Sequence, residues 1–274
     1  MSNGRTGGAL TAMLVLTLAC SWLPGGGPTP TLPAEHTATP TGLPPTASPT
    51  VAFGGPPEAI AILSPGNSSR LVGPLTVEGI ADPTFENHLG LRLLTMDGAT
   101  LAEGAAIIEA PIGQRGPFEG ELAFSVLAEQ PALLQVFASS ARDGGLTHLS
   151  SVVITLAPGG DENLVLQAEQ AERIQINQPT QGAVVEGGAL MVTGFGWASF
   201  ENTLVAEVYD VDGSLVGQAP ITIDSAELGQ PGDFSVELSY SVTDSGPGRI
   251  VVWDPSPAFG GPVHLASVEV ELRP

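Results

Sequence analysis

Two stretches of the chain alternate apolar and polar residues in the same phase. Leu89, Leu91 and Leu93 alternate with His88, Gly90 and Arg92, and 115 residues later Leu204, Ala206 and Val208 alternate with Thr203, Val205 and Glu207. A period of two buries one face and wets the other, which predicts strands of an antiparallel sheet. The same pattern closes each half. Val152, Ile154 and Leu156 correspond to Val268, Val270 and Leu272, and Glu269 and Glu271 between the latter are expected to face water.

These strands belong to a repeat. Phe85-Glu86-Asn87 returns as Phe200-Glu201-Asn202 and Asp97-Gly98 as Asp212-Gly213, both 115 residues on. His148-Leu149 returns as His264-Leu265 after 116, and Ile60-x-Ile62-x-x-Pro65 as Ile174-x-Ile176-x-x-Pro179 after 114. So small a drift makes each copy a whole folding unit. In the first copy, strands are expected near 60–63, 75–79, 89–96, 100–108, 118–124, 133–138 and 149–156. Turns punctuate them at Asp97-Gly98, Gly116-Pro117 and Gly144-Gly145, with equivalents at Asp212-Gly213, Gly232-Asp233 and Gly260-Gly261. Seven short strands per copy outline an immunoglobulin-like sandwich. The fold class is therefore all-β, two tandem antiparallel sandwiches over 58–157 and 173–274. A domain of this size buries roughly 60–65% of its unfolded surface, so each copy is expected to fold alone.

Ile-x-Ile-x-x-Pro, a strand ending in Gly79 or Gly194, Phe-Glu-Asn, Asp-Gly and then Gly-x-Phe together resemble the immunoglobulin-like domain of bacterial spore germination. The resemblance covers 60–157 and 173–273. It implies an exported or lipid-anchored protein and an interaction module. The cysteine pair of antibody domains is absent, since Cys20 is the only cysteine.

Residues 1–19 read as an export signal: Arg5 gives a weak positive start and Ala9 to Leu18 a short apolar stretch, too short for the roughly 20 residues that span a bilayer. It ends at Leu16-Thr17-Leu18-Ala19-Cys20, which resembles a lipoprotein signal with Cys20 as the acylated residue. Residues 20–57, rich in Pro and Thr, lack any hydrophobic period and are expected to form a disordered tether. In polyproline form, at about 3.1 Å per residue, such a tether reaches on the order of 100 Å. The linker at 158–172 differs, because Asp161-Glu162-Asn163 can cap a short helix through Leu164–Glu169 and make a semi-rigid hinge.

Charge narrows the partners. The chain carries 29 acids and 8 basic residues, all Arg, for a net −21. Removal of 1–19 takes Arg5 with it and leaves 7 against 29, or −22. Such a surface repels nucleic acid and anionic headgroups. Among candidate sites, Asp210-Val211-Asp212-Gly213 lacks the other ligands of a calcium loop and reads as a hairpin turn. His148 and His264 read as strand-edge polar residues, a ligand pair only if the copies fold onto each other. Phe85 and Phe200 are expected to plug one sandwich end while their Glu and Asn satisfy a bend. Trp197 and Trp253 are peculiar to the second copy; Trp253 reads as core like Phe137, or as a surface for a sugar ring or peptide. No catalytic triad, phosphate loop or zinc motif is present, so no catalytic residue, metal or cofactor is assigned and the ligand-binding residues stay open. The expectation is a non-enzymatic, extracytoplasmic lipoprotein anchored by Cys20. It displays interaction modules for spore germination or envelope assembly, its partners being the membrane through the lipid and an envelope protein or glycan. A carbohydrate- or peptidoglycan-binding protein and an accessory subunit of an envelope complex are the alternatives.

The anchor is checked directly. Cys20→Ser is expected to release the protein from the membrane fraction or leave it unprocessed. Normal maturation and unchanged membrane fractionation would contradict the lipoprotein reading.

Overall fold

A computed structural model describes residues 55–274; the signal, Cys20 and the tether up to Gly54 lie outside the described residues. The first repeat comprises β1 (Ile60–Ser64), β2 (Arg70–Val72), β3 (Leu75–Ala81), β4 (His88–Thr95), β5 (Thr100–Ile108), β6 (Gly116–Leu122), β7 (Gln130–Ser139) and β8 (Leu146–Ala157). The second comprises β9 (Ile174–Gln178), β10 (Val184–Val185), β11 (Ala189–Gly196), β12 (Thr203–Tyr209), β13 (Leu215–Thr222), β14 (Gly232–Ser239), β15 (Gly246–Pro255) and β16 (Pro262–Leu272). The seven strands expected in the first repeat are all present. β2 and β10 are additional: short strands pairing in parallel with β8 and β16.

Each repeat is a three-on-four sandwich. β1–β3–β6 packs on β5–β4–β7–β8, to which β6 is also hydrogen-bonded through the end of β5, and the separate sheet β9–β11–β14 packs on β13–β12–β15–β16. Leu89, Leu91 and Leu93 bury as the alternation requires, with Ile60, Phe118, Leu134 and Ile154 in one core. Leu204, Ala206 and Val208 bury with Ile174, Phe234, Leu238 and Val252 in the other. The glycines that close the β3 and β11 motifs have a packing reason. A Cβ on Gly79 would lie 2.4 Å from the Phe118 ring, and one on Gly194 would lie 2.4 Å from the Phe234 ring. Only glycine lets that ring cross the strand.

The repeats meet about a pseudo-two-fold axis. β8 and β16 pair antiparallel, with Leu149 opposite its own equivalent Leu265. The four-stranded layers thereby join into one continuous sheet. On the opposite layer Pro57 bridges Ala171, again a residue and its equivalent. Glu58 N–H donates to the Gln170 carbonyl and Glu172 N–H to the Pro56 carbonyl, both at 2.9 Å. A third apolar cluster seals the junction: Leu149, Val251 and Leu265, with Phe137, Leu146, Tyr209 and Trp253 packed around them.

Residues 158–172 do not form the expected helix. They run extended along the β1 edge, where Gln167 N–H donates to the Leu63 carbonyl at 3.0 Å and Gly66 N–H to the Val165 carbonyl at 2.7 Å. A six-residue helix is too short to sustain itself, and the sheet edge offers its backbone better partners. Glu269 also departs from expectation. Rather than facing open water, it is 35% exposed and takes Arg142 at 2.7 Å across the junction.

Candidate functional site

The repeated histidines, Trp253 and the two Asp-Gly turns converge on the junction. Its apolar face uses the loops between β7 and β8 and between β15 and β16. Each carries a Gly-Gly turn with positive φ at Gly144 or Gly260, which throws the preceding residue over the other repeat. Those preceding residues differ. Phe259 sits against the Asp97-Gly98 turn, and Asp143 sits against the Asp212-Gly213 turn. One half of the pseudo-symmetric groove is therefore filled by an aromatic ring and the other by a carboxylate.

The carboxylate has a dedicated partner. Arg249 lies on β15 where β7 carries Leu133, and the two strands share the same run of five buried residues. Arg249 donates through both terminal nitrogens to Asp143, at 3.1 and 3.0 Å, and lies 3.5 Å from Glu269. Its guanidinium stands 5.6 Å from the Tyr209 ring. Burial pushes the Asp143 carboxyl up, but the Arg249 hydrogen bonds and charge, with the Gly145 N–H, bring it down to about 2. Breaking such a buried pair by removing one member costs about 3–5 kcal/mol, because the survivor keeps its charge without compensation.

Beside this pair is a cleft of about 310 Å³, lined by Asp143, Glu207, Tyr209, Arg249, Trp253 and Leu265 among others. Tyr209 donates to Glu207 at 2.7 Å, and burial together with that carboxylate pushes the phenol up. The Trp253 indole N–H is buried and has no hydrogen-bond partner among the described residues. Trp253 is thus neither plain core nor a free surface ring, but the half-buried wall of a cleft between repeats.

On the other face the two histidines pair crosswise. His148 of the first repeat lies 3.5 Å from Glu172 of the second, and His264 of the second lies 3.3 Å from Glu58 of the first. Since Glu58 and Glu172 are equivalents, the cross is another expression of the axis. The histidines therefore do not form a ligand pair; each holds the opposite repeat. Arg173 and Asp254 complete this buried cluster, 3.9 Å apart. Asp254 is fully buried and accepts from the Ser199 N–H at 2.9 Å and from the Ser199 hydroxyl. Burial lowers the Arg173 guanidinium, and the nearby carboxylates only partly offset it. No group of three metal-ligating side chains occurs among the described residues, and the Asp210 segment is the expected turn, with Asp210 capping the Asp212 and Ser214 N–H groups.

The Phe-Glu-Asn triplets overturn half of their expectation: the Asn residues satisfy backbone groups at the bend as expected, but the rings do not plug the sandwich. Phe85 is 61% exposed and Phe200 is 52% exposed, and it is Asn87 and Asn202 that are buried. In both copies Glu and Asn take successive positive φ values, 52° and 58° in the first and 49° and 52° in the second. This left-handed step costs roughly 1–2 kcal/mol for an ordinary residue and less for Asn. It turns Asn87 inward to donate to the Ile108 and Ala110 carbonyls, at 3.1 and 2.7 Å, and leaves the ring outside. Asn202 instead accepts from the Gly229 N–H and donates to the Ser225 hydroxyl. Phe85 overhangs a second cleft of about 460 Å³ that also includes His148, Ser140, Gln181 and Glu269. Trp197 is 39% exposed and lies 4.8 Å from the Arg173 guanidinium.

A pair of antiparallel sandwiches joined through β8 and β16 defines a tandem immunoglobulin-like protein. The profile of the immunoglobulin-like domain of bacterial spore germination matches residues 59–145 and 173–260. The chain belongs to that family. No curated protein matches it. Among solved structures, red sea bream transglutaminase is similar at 11% identity and a TM-score of 0.28, over 79% of this chain and 31% of that one. CBD12 from CALX1.2 is similar at 11% identity and a TM-score of 0.19, over 76% of this chain and 98% of that one.

The crossed pairs give a pH dependence. Burial pushes the Glu58 carboxyl up, but His264, His148 and Arg173 outweigh it and hold the carboxyl below its ordinary value of 4.5. A lowered carboxylate contributes stability that is present above its unfolded value and lost as pH falls through its folded value. The native chain is therefore expected to melt higher than the Glu58→Gln variant near pH 5.5, with that advantage shrinking below about pH 4.5. Thermal melts across this window check it. An advantage that persists or grows in acid would contradict the pairing.

Proposed function

We propose that the chain is a non-enzymatic interaction module of the bacterial envelope, held outside the membrane by lipid on Cys20, and that Phe85 and Phe200 are contact residues for an envelope partner. The observation that carries this is the repeated display of a phenylalanine at more than half exposure on a turn whose backbone is held left-handed. A large ring kept in water at a conformational cost, in both copies, is costly for folding and useful for binding. Membership of a germination-associated family supports an extracytoplasmic setting, and the lipoprotein-like run to Cys20 supports the anchor.

A glycan is the second reading. The cleft favours it, because Tyr209 and Trp253 give it aromatic walls beside the Asp143 and Glu207 carboxylates.

The Phe85→Ala/Phe200→Ala double variant tests the main reading. Exposed substitutions change stability by about 0.5 kcal/mol or less, whereas a buried Phe lost to Ala costs about 3–5. The variant is expected to melt within a few degrees of the native chain and to bind isolated cell envelopes at least about tenfold more weakly, the loss of two contact residues worth about 1 kcal/mol each. Unchanged envelope binding, or a collapse in melting temperature, would contradict it.

A further inference from the structure

The pseudo-symmetry also fails beneath Phe85. The Asp82 N–H donates to the Ala59 carbonyl at 2.7 Å and the Trp197 N–H to the Arg173 carbonyl at 2.9 Å, so Ala59 and Asp82 stand where Arg173 and Trp197 do. Ala138 pairs with His148 as Asp254 pairs with His264, which makes Ala138 the counterpart of Asp254. In the second repeat these residues stack. The Arg173 guanidinium lies 4.8 Å from the Trp197 ring, donates to the Trp197 carbonyl at 3.3 Å and stands 3.9 Å from Asp254. In the first repeat shorter side chains replace all three, and all three replacements line the cleft of about 460 Å³ that Phe85 overhangs. The second repeat supplies its own filling, and the first leaves room for a ligand.

The lining selects the chemistry of that ligand. Its buried part is apolar, Ile60 and Ala138. The rest offers the Asp82 and Glu269 carboxylates and the Ser139 and Thr147 hydroxyls. Both carboxylates already hold a cation, Asp82 through Arg115 and Glu269 through Arg142. A second cation gains little there, and Ala138 withholds the carboxylate that Asp254 presents to Arg173. Neutral donors gain more, because a carboxylate accepts at about four lone-pair sites and one arginine leaves some of them open. Gln181 accepts from the Glu269 N–H at 3.0 Å through its amide oxygen, which keeps its NH2 group as a donor. A sugar meets all of this: its C–H face lies on an aromatic ring while its hydroxyls exchange hydrogen bonds with acids, amides and hydroxyls. An acetamido methyl on that sugar fills the apolar part.

We propose that the cleft beneath Phe85 binds a neutral N-acetylated sugar residue of an envelope glycan. The sugar ring lies on Phe85, its hydroxyls meet Asp82, Glu269 and Gln181, and its acetyl methyl sits against Ala59 and Ala138. The proposal rests on the reading of Phe85 as a contact residue and names the chemistry of its partner. It concerns the first repeat alone, because Arg173 and Trp197 stand at the matching place of the second.

The probe is tri-N-acetylchitotriose, titrated calorimetrically into the full chain in detergent. It is expected to bind at least about tenfold more tightly than its deacetylated, cationic form and than cellotriose, which lacks the acetyl groups. The Ala59→Arg/Asp82→Trp/Ala138→Asp variant, which transplants the filling of the second repeat, is expected to abolish binding. Phe85→Ala is expected to weaken it at least about tenfold, and serves if the transplant fails to melt cooperatively. No binding of the acetylated probe, or tighter binding of the cationic trimer, would overturn the proposal. Binding that survives a folded transplant would overturn it too, and would place the sugar beside Tyr209 and Trp253. The two assays separate the readings, since envelope binding reads both rings and the sugar reads Phe85 alone. Envelope binding lost in the Phe85→Ala/Phe200→Ala variant, with no sugar bound by the native chain, would sink this proposal and spare the envelope contact.

Discussion

The antiparallel register of β8 on β16 governs the rest of the molecule. Pairing Leu149 with its own equivalent Leu265 places a pseudo-two-fold axis between the repeats, and such an axis makes a cross-junction contact recur wherever both of its residues are kept in the two copies. The Pro57–Ala171 bridge, the two crossed His–Glu pairs and the two Gly-Gly loops over opposite hairpins all follow from that register. A self-complementary interface of this kind is the geometry of an isologous dimer, here realised within one chain.

Within that symmetry the informative positions are those that break it. Asp143 stands where Phe259 does, and Arg249 where Leu133 does. Two copies of the first repeat would leave Asp143 buried without its cation, and two copies of the second would leave Arg249 without its anion. The pair therefore favours the first repeat on the second over either repeat on itself, as a single polar residue fixes partner choice in a coiled coil. The break falls beside the cleft walled by Trp253.

Much of each sandwich was legible in the sequence, because period-two alternation at Leu89–Leu93 and Val152–Leu156 survives in the structure as burial. The junction was harder to read, although one sign of it exists. Ile250-Val251-Val252 is a continuous buried run, which marks a strand covered on both faces. Nothing local announces that Arg249 meets Asp143, 106 residues away. Phe85 misled because an aromatic residue before an alternating strand resembles a plug. Two consecutive left-handed residues reverse the side that turns inward, and Asn, the residue type most tolerant of that region, was the available sign. The short β2 and β10 carry too few residues for any period to show.

If the junction is as extensive as its third apolar cluster and crossed pairs imply, the repeats melt together. Scanning calorimetry of the full chain measures this most directly, by comparing the calorimetric and van't Hoff enthalpies. Coupling through β8 and β16 predicts a single endotherm with a ratio of about one. Two resolved transitions, or a ratio near two, would show repeats that unfold independently and would contradict the account.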